Sequence, residues 1–409
     1  MCRSLAQLID DDVSVRYKIE LARAGRIDGT PSVTVMVVDR LTSLLKHRAR
    51  SLHCSIYSLA RGEPHPNASR IRISSSIGTD DAPGLQSWDS VQVLGDLIAW
   101  NIPASDARIC EMKVVNWKTG VTVWEFYDKQ WHRCRLVSES HVVVVTFESL
   151  LVYAIDRDRQ SPAVPSTTGT ALCALQLPAW SSISNSLLVQ SYIQFPPSLA
   201  AKDRPLYRYD PSLTLLTLDI DYIIDTAKKG PQLVQYAVFV PVATILAAIR
   251  SESPPPAASA SPPDGHISQS PGRVVPWSEW GPAGTHVAHF DTSNGPCDFS
   301  PMGCSCAVTQ QRRDAASGES FLRVLVFDVH PWARPDPQRS TSELLRDSGM
   351  VGGKGEGEGD TLSGLGFTES VRTTFPFDFT RRDIPLGRDD RSPTVVLGED
   401  GLVLVTAPA

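Results

Sequence analysis

The chain has 409 residues, which at about 150 residues per domain is room for two or three domains and an ample core. Lys and Arg number 39 against 45 Asp and Glu, a net charge of −6, and no long basic run gathers the positive minority, which argues against a dedicated nucleic-acid binder. Hydrophobic residues make up 42%, which excludes a wholly disordered chain, while 31 Pro and 27 Gly argue against a helical bundle and for many turns between short elements.

Up to about Ser58 the pattern is helical. Val15, Ile19 and Ala22 recur at helical spacing behind the potential N-caps Asp12 and Ser14, and Gly25 follows as a stop, which predicts a helix over 14–24. Val37, Leu41, Leu44 and Leu45 repeat the stripe, with Lys46, His47, Arg48 and Arg50 where a helix C-terminus welcomes cations, so a second helix is expected over 35–50. From Val91 the period changes to two, or to short apolar runs bounded by turn residues. Strands are expected at 91–94, 97–100, 110–117, 121–126, 141–146, 150–155, 171–177, 187–195, 213–220, 322–329, 371–375, 394–397 and 402–405. Between two of them Lys118-Thr119-Gly120 forms a tight turn in which Gly120 takes positive φ. The apolar stretch 233–249 carries Pro241 near its middle and falls short of a span of about 20 residues. It is expected to be a buried strand over 235–240 that enters a short helix at Pro241, so no membrane association is expected.

Regular alternation of strand and long helix is missing, which disfavours an α/β enzyme fold. The fold class expected is mainly β: an irregular, antiparallel, propeller-like domain over 90–409 behind a short helical segment over 1–58. Two inserts interrupt it. Residues 251–272 are dominated by Ser, Pro and Ala, and 349–366 hold eight glycines; neither composition buries enough apolar area to offset its ordering entropy, so both are expected to be disordered. Without them about 280 residues remain, which at about 40–45 per four-stranded blade makes six or seven blades. Two packed sandwiches would fit nearly as well.

The chemistry-bearing patterns are incomplete. Gly352-Gly353-Lys354 lacks the first glycine and the hydroxyl of a phosphate-binding loop. His286, His289, Cys297, Cys304 and Cys306 lie close together, yet strand alternation puts Cys304 and Cys306 on one face and the two histidines on opposite faces, so buried thiols are expected and no metal. No G-x-S-x-G is present and no Cys stands in an obvious setting with a fixed His and acid, so no catalytic residue and no cofactor is assigned. The eight cysteines are scattered without a C-x-x-C and no apolar leader follows Met1, which implies reduced thiols in the cytoplasm or nucleus. Trp100, Trp117 and Trp124 fall in the strand region as core candidates. Trp277 and Trp280, three residues apart after the Pro-rich insert, are the candidate partner-binding residues.

Cys2-Arg3-Ser4-Leu5 through Asp10, then Ser14-Val15, Tyr17-Lys18 and Ile19-Glu20-Leu21-Ala22-Arg23-Ala24-Gly25, resemble the closing part of an F-box. The closest likeness is to the F-box proteins of mushroom-forming basidiomycete fungi, whose later E-R-L helix is matched by Asp39-Arg40-Leu41. Asn116-Trp117-Lys118-Thr119-Gly120, Phe239-Val240-Pro241, Val275-Pro276-Trp277 and Leu397-Gly398-Glu399-Asp400-Gly401 are similar to that family's β region, in the same order. The resemblance implies a non-catalytic receptor subunit of an SCF-type ubiquitin ligase, docking on the adaptor subunit and holding an unknown protein target. An F-box opens with an L-P-x-E-[LI] helix start and an apolar second helix, which this sequence does not contain. Leu5, Leu8 and Ile9 are then the adaptor-binding residues left, and the adaptor-binding surface is incomplete. The alternative is a β-propeller interaction scaffold unrelated to ubiquitin. A hydrolase on a propeller would need a polar pocket with a perturbed His or carboxylate.

Overall fold

Branched and flat side chains fit a pleated surface, and the computed structural model turns most of the Val-, Ile- and aromatic-rich runs into strands. It describes residues 91–103, 110–128, 132–156, 170–180, 187–195, 208–226, 230–251, 272–290, 292–329 apart from 294, 315 and 316, and 367–386 apart from 376, with a turn at 67–69 and the backbone of short strands elsewhere.

Strand β1 (Arg26–Ile27) comes first. A three-stranded sheet follows, made of β2 (Met36–Asp39), β3 (Ser51–Ser58) and β4 (Arg72–Gly78). The next is a four-stranded meander of β5 (Val91–Leu94), β6 (Leu97–Pro103), β7 (Cys110–Asn116) and β8 (Val121–Asp128). Another meander holds β9 (Arg133–Ser138), β10 (His141–Val145), β11 (Ser149–Ala154) and β12 (Cys173–Gln176). The next sheet, of four strands, begins with β13 (Leu187–Tyr192); after β14 (Arg208–Tyr209), which pairs back with β1, come the long hairpin strands β15 (Leu215–Thr226) and β16 (Gly230–Pro241). Helix α1 (Val242–Arg250), strand β17 (Val274–Val275) and helix α2 (Trp277–Gly284) lead to β18 (His286–Phe290), which completes the order β13-β15-β16-β18. The last four-stranded sheet is β19 (Asp298–Met302), β20 (Ser305–Arg313), β21 (Ser320–Val329) and, after the pair β22 (Asp360–Leu362) and β23 (Val371–Thr373), strand β24 (Phe377–Pro385). A hairpin of β25 (Thr394–Gly398) and β26 (Gly401–Val405) follows it. Among the described pairs only β17, added to the outer side of β12, runs parallel.

Two compact units emerge, one of Met1–Val33, Pro178–Leu246 and Trp280–Ala409, the other of Thr34–Leu177 and Ala247–Glu279. In both, the inner strands of the antiparallel sheets are buried on two faces, which explains why they read as continuous apolar runs where a half-solvated sheet would alternate. In β6, Leu97 and Ala99 enter a core shared with Cys134, Leu136, Val142 and Val144 of the next sheet, while Ile98 and Trp100 pack on the other side with Val115 and Trp117. The sheet of β19, β20, β21 and β24 behaves alike: Val308, Leu325 and Phe327 face Phe239 and Phe290 of the preceding sheet, and Ala307 with Met302 faces Leu397 of β25.

Sheets stacked this way expose the edge of each first strand, and an unpaired edge must be satisfied. In the second unit β9 is such an edge, with β10 on its other side. Alternate residues of a strand point their amides to the same edge, so Cys134 and Leu136 present theirs together. Two buried side-chain amides meet them. Asn101 accepts from the Cys134 amide (2.6 Å) and donates to its carbonyl (3.3 Å), and Gln92 accepts from the Leu136 amide (2.7 Å) and donates to its carbonyl (2.8 Å). The first unit repeats the device: Gln235 of β16 grips both backbone groups of Cys297 at the entry to β19, and the Ser300 hydroxyl of β19 accepts from the Leu397 amide.

Turn chemistry is local. Gly120 has φ 73°, and the Asn116 carboxamide accepts from the amides of Lys118 and Thr119, closing the β7–β8 hairpin. Gly95, φ 55°, has Glu139 where a Cβ would stand, and its carbonyl accepts from the Trp117 indole at 3.0 Å.

Several expectations are corrected. The helix expected over 35–50 holds strand β2 at Met36–Asp39, and β3 and β4 precede the expected onset of β structure at residue 91. The valines of Met36-Val37-Val38-Asp39 and the alternation of Leu52, Cys54 and Ile56 are strand signals that ladder pairing exploits. Part of the glycine-rich insert, Asp360–Leu362, is strand β22. Residues 14–24 and 252–271 lie outside the described residues. The run 233–249 is a strand through Pro241 and then α1, and among the described residues no helix is long and apolar enough to cross a membrane.

Candidate interaction site

The sequence-derived site residues fall in different places. Leu5, Leu8 and Ile9 lie outside the described residues. Trp277 opens α2 behind Pro276 and is half-buried, but Trp280 is only 6% exposed, so the expected exposed pair of anchors does not exist. Residues three apart on a helix share a face; Ser278 and Glu279 take the wet side and the indoles turn inward. Gly284 ends the helix against α1, whose Thr244 hydroxyl donates to the Gly284 carbonyl at 2.8 Å. Trp100 and Trp117 are buried, and Trp124 stacks on Phe126.

The His and Cys group is dispersed. His286 lies among Phe239, Phe327 and Phe377, while His289 packs tilted against Tyr236. Cys304 sits in the β19–β20 turn and not on a strand beside Cys306, and the thiols of Cys297 and Cys306 belong to the core. Among the described residues no group of His, Cys, Asp and Glu could hold a metal ion.

A polar layer that the sequence did not flag lies at one end of the interface between the two four-stranded sheets of the first unit. Asp219 and Asp221 are two apart on β15, hence on the face that also carries Leu215. Register sets Gln235 of β16 opposite Asp221. Its amide donates to Asp219 at 2.9 Å as well as holding Cys297. Across the facing sheet, register aligns Gln310, Arg323 and Asp383. Gln310 donates to the Gly295 carbonyl and accepts from Arg312, both at 2.8 Å. Arg323, its side chain 7% exposed, grips Asp383 through two bonds of 3.0 and 3.1 Å, and Arg381 adds a third at 2.7 Å. The layer thus runs from buried amides out to an exposed ion-paired strand, where Arg381 and Arg382 reach solvent.

Electrostatics fix what this layer can do. Burial pushes up the Asp221 and Asp298 carboxyls, and one Asp221 oxygen is buried without a hydrogen-bond partner. Burial, with the charge of Asp219, pushes the Cys297 thiol far up, so it stays protonated and is no nucleophile. Partial burial would raise Asp383, but Arg323 and Arg381 outweigh it and bring the carboxyl down to about 2. The chemistry on offer is ion pairing and hydrogen bonding. The amides Gln92, Asn101 and Gln235 were missed as well, although a lone amide inside an apolar strand, as in Val91-Gln92-Val93-Leu94, is a readable signal. Comparison with protein-family models, curated proteins and solved structures gives no match for this chain.

Proposed function

We propose that the chain is a non-catalytic protein-interaction subunit, built as an irregular β-propeller, that serves as the target-holding receptor of an SCF-type ubiquitin ligase. The observation that carries the interaction reading is the repeated stacking of two-face-buried, antiparallel sheets within each unit, with the first strand of one sheet capped by side chains of the sheet before it. Such stacking spends nearly all apolar surface on the core and leaves loops and strand edges for recognition. The polar layer ending at Arg381, Arg382 and Asp383 is the surface assigned to the target. The ligase part rests on the F-box resemblance of the first 25 residues.

A second reading, a propeller scaffold unrelated to ubiquitin, is favoured by β2 and β3, which occupy the stretch where helices linking an F-box to the β domain were expected. Size-exclusion chromatography of the purified chain with a purified SCF adaptor separates the two. Co-elution that is lost on Leu5→Ala/Leu8→Ala/Ile9→Ala supports the receptor; no complex, or one indifferent to these changes, overturns it and leaves the scaffold.

A further inference from the structure

His286 opens β18, the outer strand of its sheet, and is 3% exposed. Its Nε2 is buried with no hydrogen-bond partner. The neighbours are rings. Phe377 stacks on it with centroids 3.7 Å apart, Phe239 of β16 lies parallel at 6.1 Å, and Phe327 of β21 stands at 6.5 Å. Thr373, Thr374 and Phe377 form a strap across the end of α2 and the start of β18. There the Thr373 hydroxyl accepts from the Val287 amide, and the amide and hydroxyl of Thr374 donate to the Pro282 carbonyl at 2.6 and 3.1 Å. The imidazole is the packing surface on which this strap closes.

We propose that His286 is the pin of an acid-sensitive strap: the neutral ring holds Thr373, Thr374 and Phe377 on α2 and β18, and a proton on that ring releases them.

Among the described side chains packed on His286, none carries a charge that would compensate an imidazolium. β16 and β21 contribute Phe239 and Phe327, the strap contributes Phe377 and Thr373, and at the end of α2 the Thr285 hydroxyl is taken by the Gly281 carbonyl. Register sets Asp360 of β22 opposite Thr373, Asp378 of β24 is exposed and accepts from the Phe379 amide, and His289 packs tilted against Tyr236. Burial alone therefore acts on His286 and lowers it from 6.5 to about 3. The sign follows: the closed state excludes a proton that the opened state accepts near 6.5, so closure is fully favoured above that pH and weakens below it. At pH 5.5 the opened population should rise about tenfold, and at pH 7.5 hardly at all.

Hydrogen exchange followed by mass spectrometry on the whole protein at pH 7.5 and 5.5, corrected for intrinsic rates, tests this. Wild type should lose about tenfold protection in peptides covering 286–290 and 371–380 at the lower pH, with β6 and β7 unchanged, and His286→Phe should protect them equally at both values. His286→Gln, which cannot titrate, serves if the phenylalanine variant does not fold. Equal protection of the wild type at both pH values, or a non-titrating variant that loses as much as wild type, overturns the proposal.

Discussion

Replacing Gln92 by methionine keeps the length and bulk of a side chain that is 9% exposed while deleting its amide. The Leu136 amide and carbonyl then face an edge that β10 does not serve, in a core where Leu136 itself is fully buried. A buried backbone group left unpaired costs about 1–3 kcal/mol, so the two together cost about 2–6 kcal/mol. For a cooperative unit of this size each kcal/mol lowers the melting midpoint by about 2–4 °C, and a loss near the middle of the range gives a fall of about 8–16 °C. Thermal unfolding followed by near-UV circular dichroism reads it, with Gln92→Glu as a second arm: a carboxylate still accepts from the Leu136 amide but repels its carbonyl, so it should fall at least as far. A midpoint within about 2 °C of the parent, the scatter of an ordinary surface change, would refute the view that side-chain amides seal the open edges between sheets.

Three further outcomes are expected. Trp117→Ala removes a fully buried indole and its bond to the Gly95 carbonyl, and urea unfolding should register a loss of about 3–5 kcal/mol. Gly284→Ala drives a Cβ to 2.4 Å from Thr244 Cγ2, and a chemical-denaturation loss of about 1–3 kcal/mol should be partly recovered by adding Thr244→Ala. Burial pushes the Cys173 thiol up to about 11 and Cys306 up to about 12, so iodoacetamide at pH 7 should leave both unmodified in the native protein and label both in urea; labelling of either in the native state would contradict their burial.

Many strands were legible as apolar runs, His141 to Val145 among them, which is buried at four of its five residues. Gly120 and the strand-to-helix switch at Pro241 were equally plain. What escaped includes β18, β19 and β20, whose buried residues are broken by His, Ser, Pro or Gln, and two strands that are polar outright: β9 carries Arg133 and Arg135, both buried, and β24 runs Thr380-Arg381-Arg382-Asp383, so neither shows the apolar run that marks a strand. Ladder bonds do not depend on side chains, and a non-local neighbour supplies them whatever the local pattern prefers. For the tryptophan pair, a spacing of three fixes that both indoles share a side of a helix and says nothing of which side is inward. The charged layer joins β15, β16, β20, β21 and β24, and no window of sequence contains it.

Arg273 donates to the Ala248 carbonyl at 3.4 Å and the Ser251 carbonyl at 2.7 Å, and the Gly272 amide donates to the Ala171 carbonyl at 2.8 Å, so Ser251 and Gly272 are tied in place. A change in the number of residues between Ser251 and Gly272 would thus load Arg273 first, and through its carbonyl, which accepts from the Ala174 amide, the edge of β12.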